Sequence, residues 1–249
     1  MTWLRWALVT AVALPVLLVA LLVVEGVVAR RGQVLERPPL ELDARVGSTS
    51  GTVVWVGDST AAGVGASSAA TALPTVVAEG GTGDRELSVL ARSGASVADV
   101  VAHQLPAVAG TDPDVVFVSV GANDVTHLTS LSDFERDYRR LVAGLPETAQ
   151  VVLLGVPDMG AVPRFAQPLR AVAGLRGGQL DDVVQEAATE TGAAYVDIAG
   201  ETGPEMRSDP ERFFAADRYH PSDAGYELWA DAVLDVLPPD DAVRVRLAG

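Results

Sequence analysis

Four short segments of this chain carry side chains suited to chemistry. Gly57-Asp58-Ser59-Thr60 follows the apolar run Val53–Val56, and Arg92-Ser93-Gly94 follows residues 86–91. Gly121-Ala122-Asn123-Asp124 follows residues 115–120, and Asp217-Arg218-Tyr219-His220 precedes a terminal amphipathic stretch. Together they supply a hydroxyl, an imidazole, a carboxylate, a glycine amide and a carboxamide, which are the parts of an acyl-transfer site. A serine hydroxyl is inert near neutrality unless a base removes its proton. Of the three histidines, His103 falls within a predicted helix and His127 has no acid paired with it. His220 has Asp217 three positions earlier, so one segment carries both a base and the group that would orient it, leaving Nε2 for Ser59. Three groups can donate to an oxyanion: the Ser59 amide, the Gly94 amide and the Asn123 carboxamide. Each feature alone has an ordinary reading, since Gly94, Asn123 and Asp124 suit turns and Asp-x-x-His suits a surface loop. Their joint placement on four separate segments is what favours the nucleophile.

The rival use of these glycines is a phosphate cradle. A Walker-type loop needs a lysine, and all 18 basic residues of the chain are arginine. Gly63-Val-Gly65 with Ser68 in the third place departs from the dinucleotide fingerprint. The formal net charge of −15, with no basic patch in the sequence, argues against nucleic acid, whose binding depends on neutralising phosphates. Cysteine is absent, which excludes disulfides, thiolate metal sites and a cysteine nucleophile.

The elements that must position these residues alternate. The apolar, β-branched run Val53–Val56 reads as a strand buried on both faces, and Glu86–Ala91, Val115–Val120, Gln150–Gly155 and Ala194–Ile198 read as further strands. Between them, Ser96 with Asp99 and Ser132 with Glu135 read as capped helix starts, with helices ending near Ala109 and Leu145. Residues 180–191 form an amphipathic helix, and a last helix runs from about Ser222 to the prolines at 238–239. This order predicts an α/β domain with a parallel sheet of about five strands and helices on both faces. Its site lies outside the carboxyl ends of the strands. The connection from Pro157 to Gly178 reads as a long loop whose Met159, Phe165 and Leu169 line an acyl pocket or simply pack.

In front of this domain, residues 6–24 contain no charge. As a helix they would span about 28 Å, close to the hydrocarbon thickness of a bilayer. We expect residues 1–31 to be a single-pass membrane anchor, its side of the membrane left open by arginines at both ends. The alternative is a signal peptide cleaved near Ala29, which would release a secreted protein. Residues 32–50 read as a linker, 51–238 as the domain and 239–249 as a tail.

With the four segments in this order and spacing, the chain resembles the SGNH (GDSL-type) hydrolase family over about residues 51–237. The resemblance implies a flavodoxin-like three-layer α/β/α fold and a hydrolase that uses neither metal nor cofactor. It also implies Ser59 as nucleophile, His220 as base, Asp217 as its partner, and Ser59, Gly94 and Asn123 as oxyanion donors. Thr60 departs from the leucine of the family signature, at a position read as having no chemistry; Asp58 and Asp124 read as loop braces. The expected function is cleavage of a small-molecule or lipid carboxylic ester through an acyl-enzyme on Ser59. The same triad would serve an acyltransferase or an acetyl-sugar esterase, and a non-catalytic binding module is the remaining alternative. No nucleic acid and no obligate protein partner are implied.

Overall fold

The computed structural model describes residues 2–31, 35, 51–81 and 85–237. All but one residue of the expected linker at 32–50, and the whole expected tail at 239–249, lie outside the described residues. The predicted strands form β1 (Thr52–Gly57), β2 (Glu86–Val89), β3 (Val115–Ser119), β4 (Gln150–Leu154) and β5 (Ala194–Val196), joined in one parallel sheet of order β2-β1-β3-β4-β5. Every residue of β3, and all of β1 after Thr52, is buried, which explains why these runs are apolar without alternation. Trp55 and Phe117 are register partners on these two strands, and their rings stack with centroids 4.5 Å apart.

Helices cover both faces. On one, α2 (Leu73–Gly81) packs on α10 (Asp223–Val236), which also meets α8 (Ile198–Ser208) and the short α9 (Pro210–Phe213). On the other, α6 (Leu131–Ala143) packs against α3 (Val97–Asp99) and α7 (Leu169–Thr191). The result is a three-layer α/β/α domain. Between β2 and β3 the chain runs through α3, a π turn at Val100–Gln104 and α4 (Leu105–Val108). The path from β1 steps outward to β2, then crosses back over β1 to β3 and onward. Right-handed crossovers then place α2, between β1 and β2, on one face and α3, α6 and α7 on the other, and the direction reverses between β1 and β3. A crevice opens at such a reversal, beyond the carboxyl ends of those two strands. Ser59 follows β1, and Asn123 lies in α5 (Ala122–His127), which follows β3.

The structure departs from the sequence reading in four places. The Pro157–Gly178 connection is shorter than expected, because α7 already begins at Leu169. Its glycines had read as loop residues. Instead they let neighbouring chain approach: a Cβ on Gly174 would sit 3.1 Å from the Gly160 Cα, and one on Gly177 3.3 Å from Met159. The cap of α6 is Ser130, which accepts from the Asp133 amide at 3.1 Å, rather than Ser132. Helices α2, α5 and α8 were not anticipated. Finally, among the described residues no helix is long and apolar enough to cross a membrane. Helix α1 (Thr2–Arg30) is continuous, but several side chains of the expected span at 6–24 lie outside the described set.

One buried polar side chain ties the helical layer to the end of β1. Gln104, at the last position of the π turn, accepts from the Gly57 amide at 2.8 Å and donates to the Gly57 carbonyl at 2.8 Å. The wider π turn brings this carboxamide to the strand end, as such turns often do near functional sites. Replacing it by a leucine leaves a buried backbone N–H without its acceptor, at about 1–3 kcal/mol for the orphaned group. We predict that Gln104→Leu lowers the denaturation free energy by about 2 kcal/mol, measured by urea titration at constant m-value.

Candidate active site

The turn after β1 is set by sterics. Gly57 has φ +147°, and a Cβ there would fall 1.9 Å from the Ser119 carbonyl oxygen. Only glycine lets β1 and β3 approach this closely while the chain turns. The Asp58 amide then donates to that same Ser119 carbonyl at 3.0 Å, and the Val64 amide donates to the Ser59 carbonyl at 2.9 Å. Asp58 braces the turn from inside: its Oδ1 accepts from the Thr60 amide at 2.9 Å and the Thr60 hydroxyl at 2.8 Å. The Ser119 hydroxyl lies 2.8 Å from Thr60 Oγ1, and with the Thr60 proton given to the Asp58 carboxylate, Ser119 is the donor. Thr60 is thus a link in the turn rather than an idle substitution, which the sequence reading missed.

The last motif meets this turn. Asp217 closes on its own loop, Oδ1 accepting from the amides of Tyr219 at 2.9 Å and His220 at 3.1 Å. Arg218 between them takes a left-handed conformation, φ +59°. Asp217 Oδ2 accepts from His220 Nδ1 at 2.6 Å, and His220 Nε2 lies 2.9 Å from Ser59 Oγ. With Nδ1 protonated, the bare Nε2 accepts the serine proton. Gly65 allows the His220 loop to sit here, since a Cβ at Gly65 would lie 2.2 Å from the Pro221 carbonyl oxygen. Arg164, from the loop after β4, holds the motif from outside. Its Nε donates to the Asp217 carbonyl at 2.9 Å, Nη2 lies 3.4 Å from Asp217 Oδ2, and the guanidinium covers the Tyr219 ring at 5.2 Å.

Gly94 and Asn123 come together through a carbonyl. Gly94 has φ +82° in an exposed turn, and the Arg92 amide anchors that turn to the Gly57 carbonyl at 3.1 Å. Asn123 Nδ2 donates one proton to the Ala95 carbonyl at 3.1 Å, leaving the second amide proton for another acceptor. Asp124 accepts from the Val97 amide at 3.0 Å and so braces the same loop. His103 and His127 are exposed.

Beside Ser59 and His220 lies a pocket whose apolar wall includes Met159, Val162, Met206, Phe214, Tyr219 and Trp229. Met159 was anticipated there. Phe165 instead packs edge-on against Tyr219, and Leu169 opens α7. Met206 is held by Trp229, whose Nε1 donates to its sulfur at 3.3 Å. Gln104, Ser119, Arg164 and Met206 had no signal in the sequence, because each acts through a partner distant along the chain.

The two aspartates of the site differ. Burial pushes the Asp58 carboxyl up to about 6, against the Thr60 hydrogen bonds and the nearby His220 charge that pull it down. Burial also pushes Asp217 upward, but the hydrogen bond from the His220 ring and the Tyr219 amide outweigh it, and the carboxyl ends below its ordinary value. Asp58 therefore holds a proton more tightly in the folded chain than in the unfolded one. At pH values below the ordinary 3.8 both states are protonated and Asp58 contributes nothing. Stability is lost as pH rises from there through about 6, and the loss is constant above. We predict that Asp58→Asn, which keeps an acceptor for Thr60, gains stability over wild type across that window. The gain should reach about 2–3 kcal/mol at pH 7–8, measured as the difference between two urea titrations at each pH.

The chain is similar to known proteins. Residues 55–228 match the GDSL-like Lipase/Acylhydrolase family. A GDSL-like esterase of Mycobacterium tuberculosis is 36% identical over 198 residues, which cover 77% of this chain and 62% of that protein. The chain thus spans about three fifths of that relative's length. A phospholipase A1 from Streptomyces albidoflavus superposes with a TM-score of 0.61 at 21% identity, over 76% of this chain and all of the other. An acetylxylan esterase from Geobacillus stearothermophilus gives 0.56 at 22% identity, over 77% and 95%. These two likenesses are of fold. The match to the family over most of the domain, on the segments that carry Ser59, Asn123 and His220, shows that the chain belongs to the GDSL-like lipase/acylhydrolase family.

Proposed function

We propose that the protein is a serine hydrolase of carboxylic esters that works through an acyl-enzyme on Ser59. The observation that carries this reading is the unbroken relay from Ser59 Oγ to His220 Nε2 at 2.9 Å and from His220 Nδ1 to Asp217 Oδ2 at 2.6 Å. Ser59 Oγ attacks the ester carbonyl as its proton passes to His220 Nε2. Asp217, kept ionised by its donors, holds the imidazole in the productive tautomer and stabilises the imidazolium. The tetrahedral oxyanion is received by the Ser59 and Gly94 amides and by the Asn123 amide proton that Ala95 does not take. His220 then returns the proton to the leaving alcohol. Water, deprotonated in turn by His220, releases the acid from Ser59 and restores the serine.

The apolar wall of the pocket supports an acyl group with hydrocarbon to bury, at about 0.8 kcal/mol per buried methylene. This favours a lipid-like ester over an acetylated sugar. We also propose that α1 attaches the protein to lipid. The described side chains from Leu14 to Val28 include ten large apolar groups that are exposed, a surface that water disfavours and a bilayer accepts.

Turnover of p-nitrophenyl esters tests the mechanism and the pocket together. We expect octanoate to be preferred over acetate in kcat/KM. Ser59→Ala and His220→Ala should each lose on the order of 10⁶ in kcat, and Asp217→Asn about 10⁴, with circular dichroism unchanged. Undiminished turnover in Ser59→Ala would overturn the acyl-enzyme.

A further inference from the structure

Outside α1, the described residues expose five large apolar side chains, and four of them stand at one place. Leu128 and Leu175 are each 72% exposed, Leu131 44% and Val172 43%. Leu128 caps α5, Leu131 opens α6, and Val172 and Leu175 lie one turn apart near the start of α7. Arg176, next to Leu175, donates to the carbonyl of Thr129, next to Leu128. That bond draws the two segments together.

This group has a fixed position relative to the site. In a parallel sheet the helices of the crossovers begin at the carboxyl ends of the strands, where the site also lies. α5 follows β3 directly, and α7 follows the loop that supplies Met159, Val162 and Arg164. The four side chains therefore stand on the rim that carries Ser59. Helix α1 arrives at the same rim, since Glu25 Oε2 accepts from the Leu169 amide at 2.9 Å and α1 packs against α7. Helix α1, which has exposed apolar side chains of its own, therefore meets the domain at the start of α7, the helix that carries Val172 and Leu175. Arg170 and Arg176 flank the patch in a chain of net charge −15. Both are half-buried, Arg170 donating to the Phe165 and Pro163 carbonyls and Arg176 to that of Thr129, and the positive charge of their remaining N–H groups suits lipid phosphates.

We propose that Leu128, Leu131, Val172 and Leu175 form a lipid-docking surface that lays the rim of the site against the bilayer. The patch takes the outer acyl-chain region while Arg170 and Arg176 meet headgroup phosphates. The pocket then faces the membrane surface rather than bulk water. This rests on the attachment by α1 proposed above, and the test separates the two.

The chain has no cysteine, so a single introduced thiol can be labelled without altering any native group. Full-length Leu175→Cys, Leu131→Cys and Glu79→Cys, each carrying a bimane, are mixed with phosphatidylcholine–phosphatidylglycerol vesicles and floated. Glu79 is exposed on α2, in the opposite helical layer. Shallow doxyl-labelled lipids should then remove most of the emission at positions 175 and 131 and leave position 79 bright. A chain that does not float overturns the attachment and this surface with it. A chain that floats while all three positions stay bright overturns the surface alone. Blue-shifted emission at 175 that doxyl lipids do not quench would mean that protein, such as a second copy, covers the patch, and would also overturn it.

Discussion

The site depends on how closely β1 and β3 approach at their carboxyl ends. No side chain fits between Gly57 and the Ser119 carbonyl, so the chain leaves β1 in a turn that glycine alone adopts without strain. Three sets of contacts hold that turn: the carboxamide of Gln104 on both polar groups of Gly57, the chain from Asp58 through Thr60 to Ser119, and the Asp58 amide on the Ser119 carbonyl. Ser59 adds its carbonyl, which accepts from the Val64 amide, while its side chain makes none of them. Its hydroxyl is left for His220, so the proposed nucleophile is positioned by neighbours and its hydroxyl stays available for chemistry.

The His220 loop shows the same economy by different means. Asp217 accepts from two backbone amides of its own loop before it reaches His220, so its carboxylate is oriented by local geometry. Arg164 then adds a contact from another part of the chain and links this loop to the pocket wall through the segment after β4. Movement of that segment would be felt at the imidazole. The wall and the relay are therefore linked through Arg164, although they draw on Ser59, on residues 157–162 and on residues 206–229.

Much of this was legible in the sequence, for physical reasons that also mark where reading fails. Buried parallel strands are apolar without alternation, and the site residues follow them because side chains there escape the core. Hence Ser59 and Asn123 could be singled out by their places after strands, and the Asp217–His220 pair by its own spacing before the last helix. The start of α7 was missed because Gly174, Gly177 and Gly178 read as loop residues, whereas two of them serve close packing. Thr60 was dismissed because its role is set by Ser119, which lies far along the chain. Gln104 had no signal for the same reason, since a carboxamide inside a helix looks the same whether it faces solvent or a strand end. Features fixed by local sequence were visible, and features fixed by a contact between distant segments were not.

The contrast between Asp58 and Asp217 shows how one buried site sets two carboxylates apart. Both lose water, which favours the proton. Asp217 receives the amides of Tyr219 and His220 and the imidazole N–H across its two oxygens, with the Arg164 guanidinium nearby. Those donors outweigh burial, as a partner for an imidazolium requires. Among the described residues Asp58 receives only the two Thr60 groups, both on one oxygen, and its carboxyl stays raised. The fold thus accepts a buried charge beside Ser59 that works against its own stability. What it gains is a turn held by charge-assisted bonds, which are shorter and stronger than neutral ones. The stability lost at Asp58 and the rigidity it gives the Ser59 turn have the same origin in a carboxylate placed where water cannot follow.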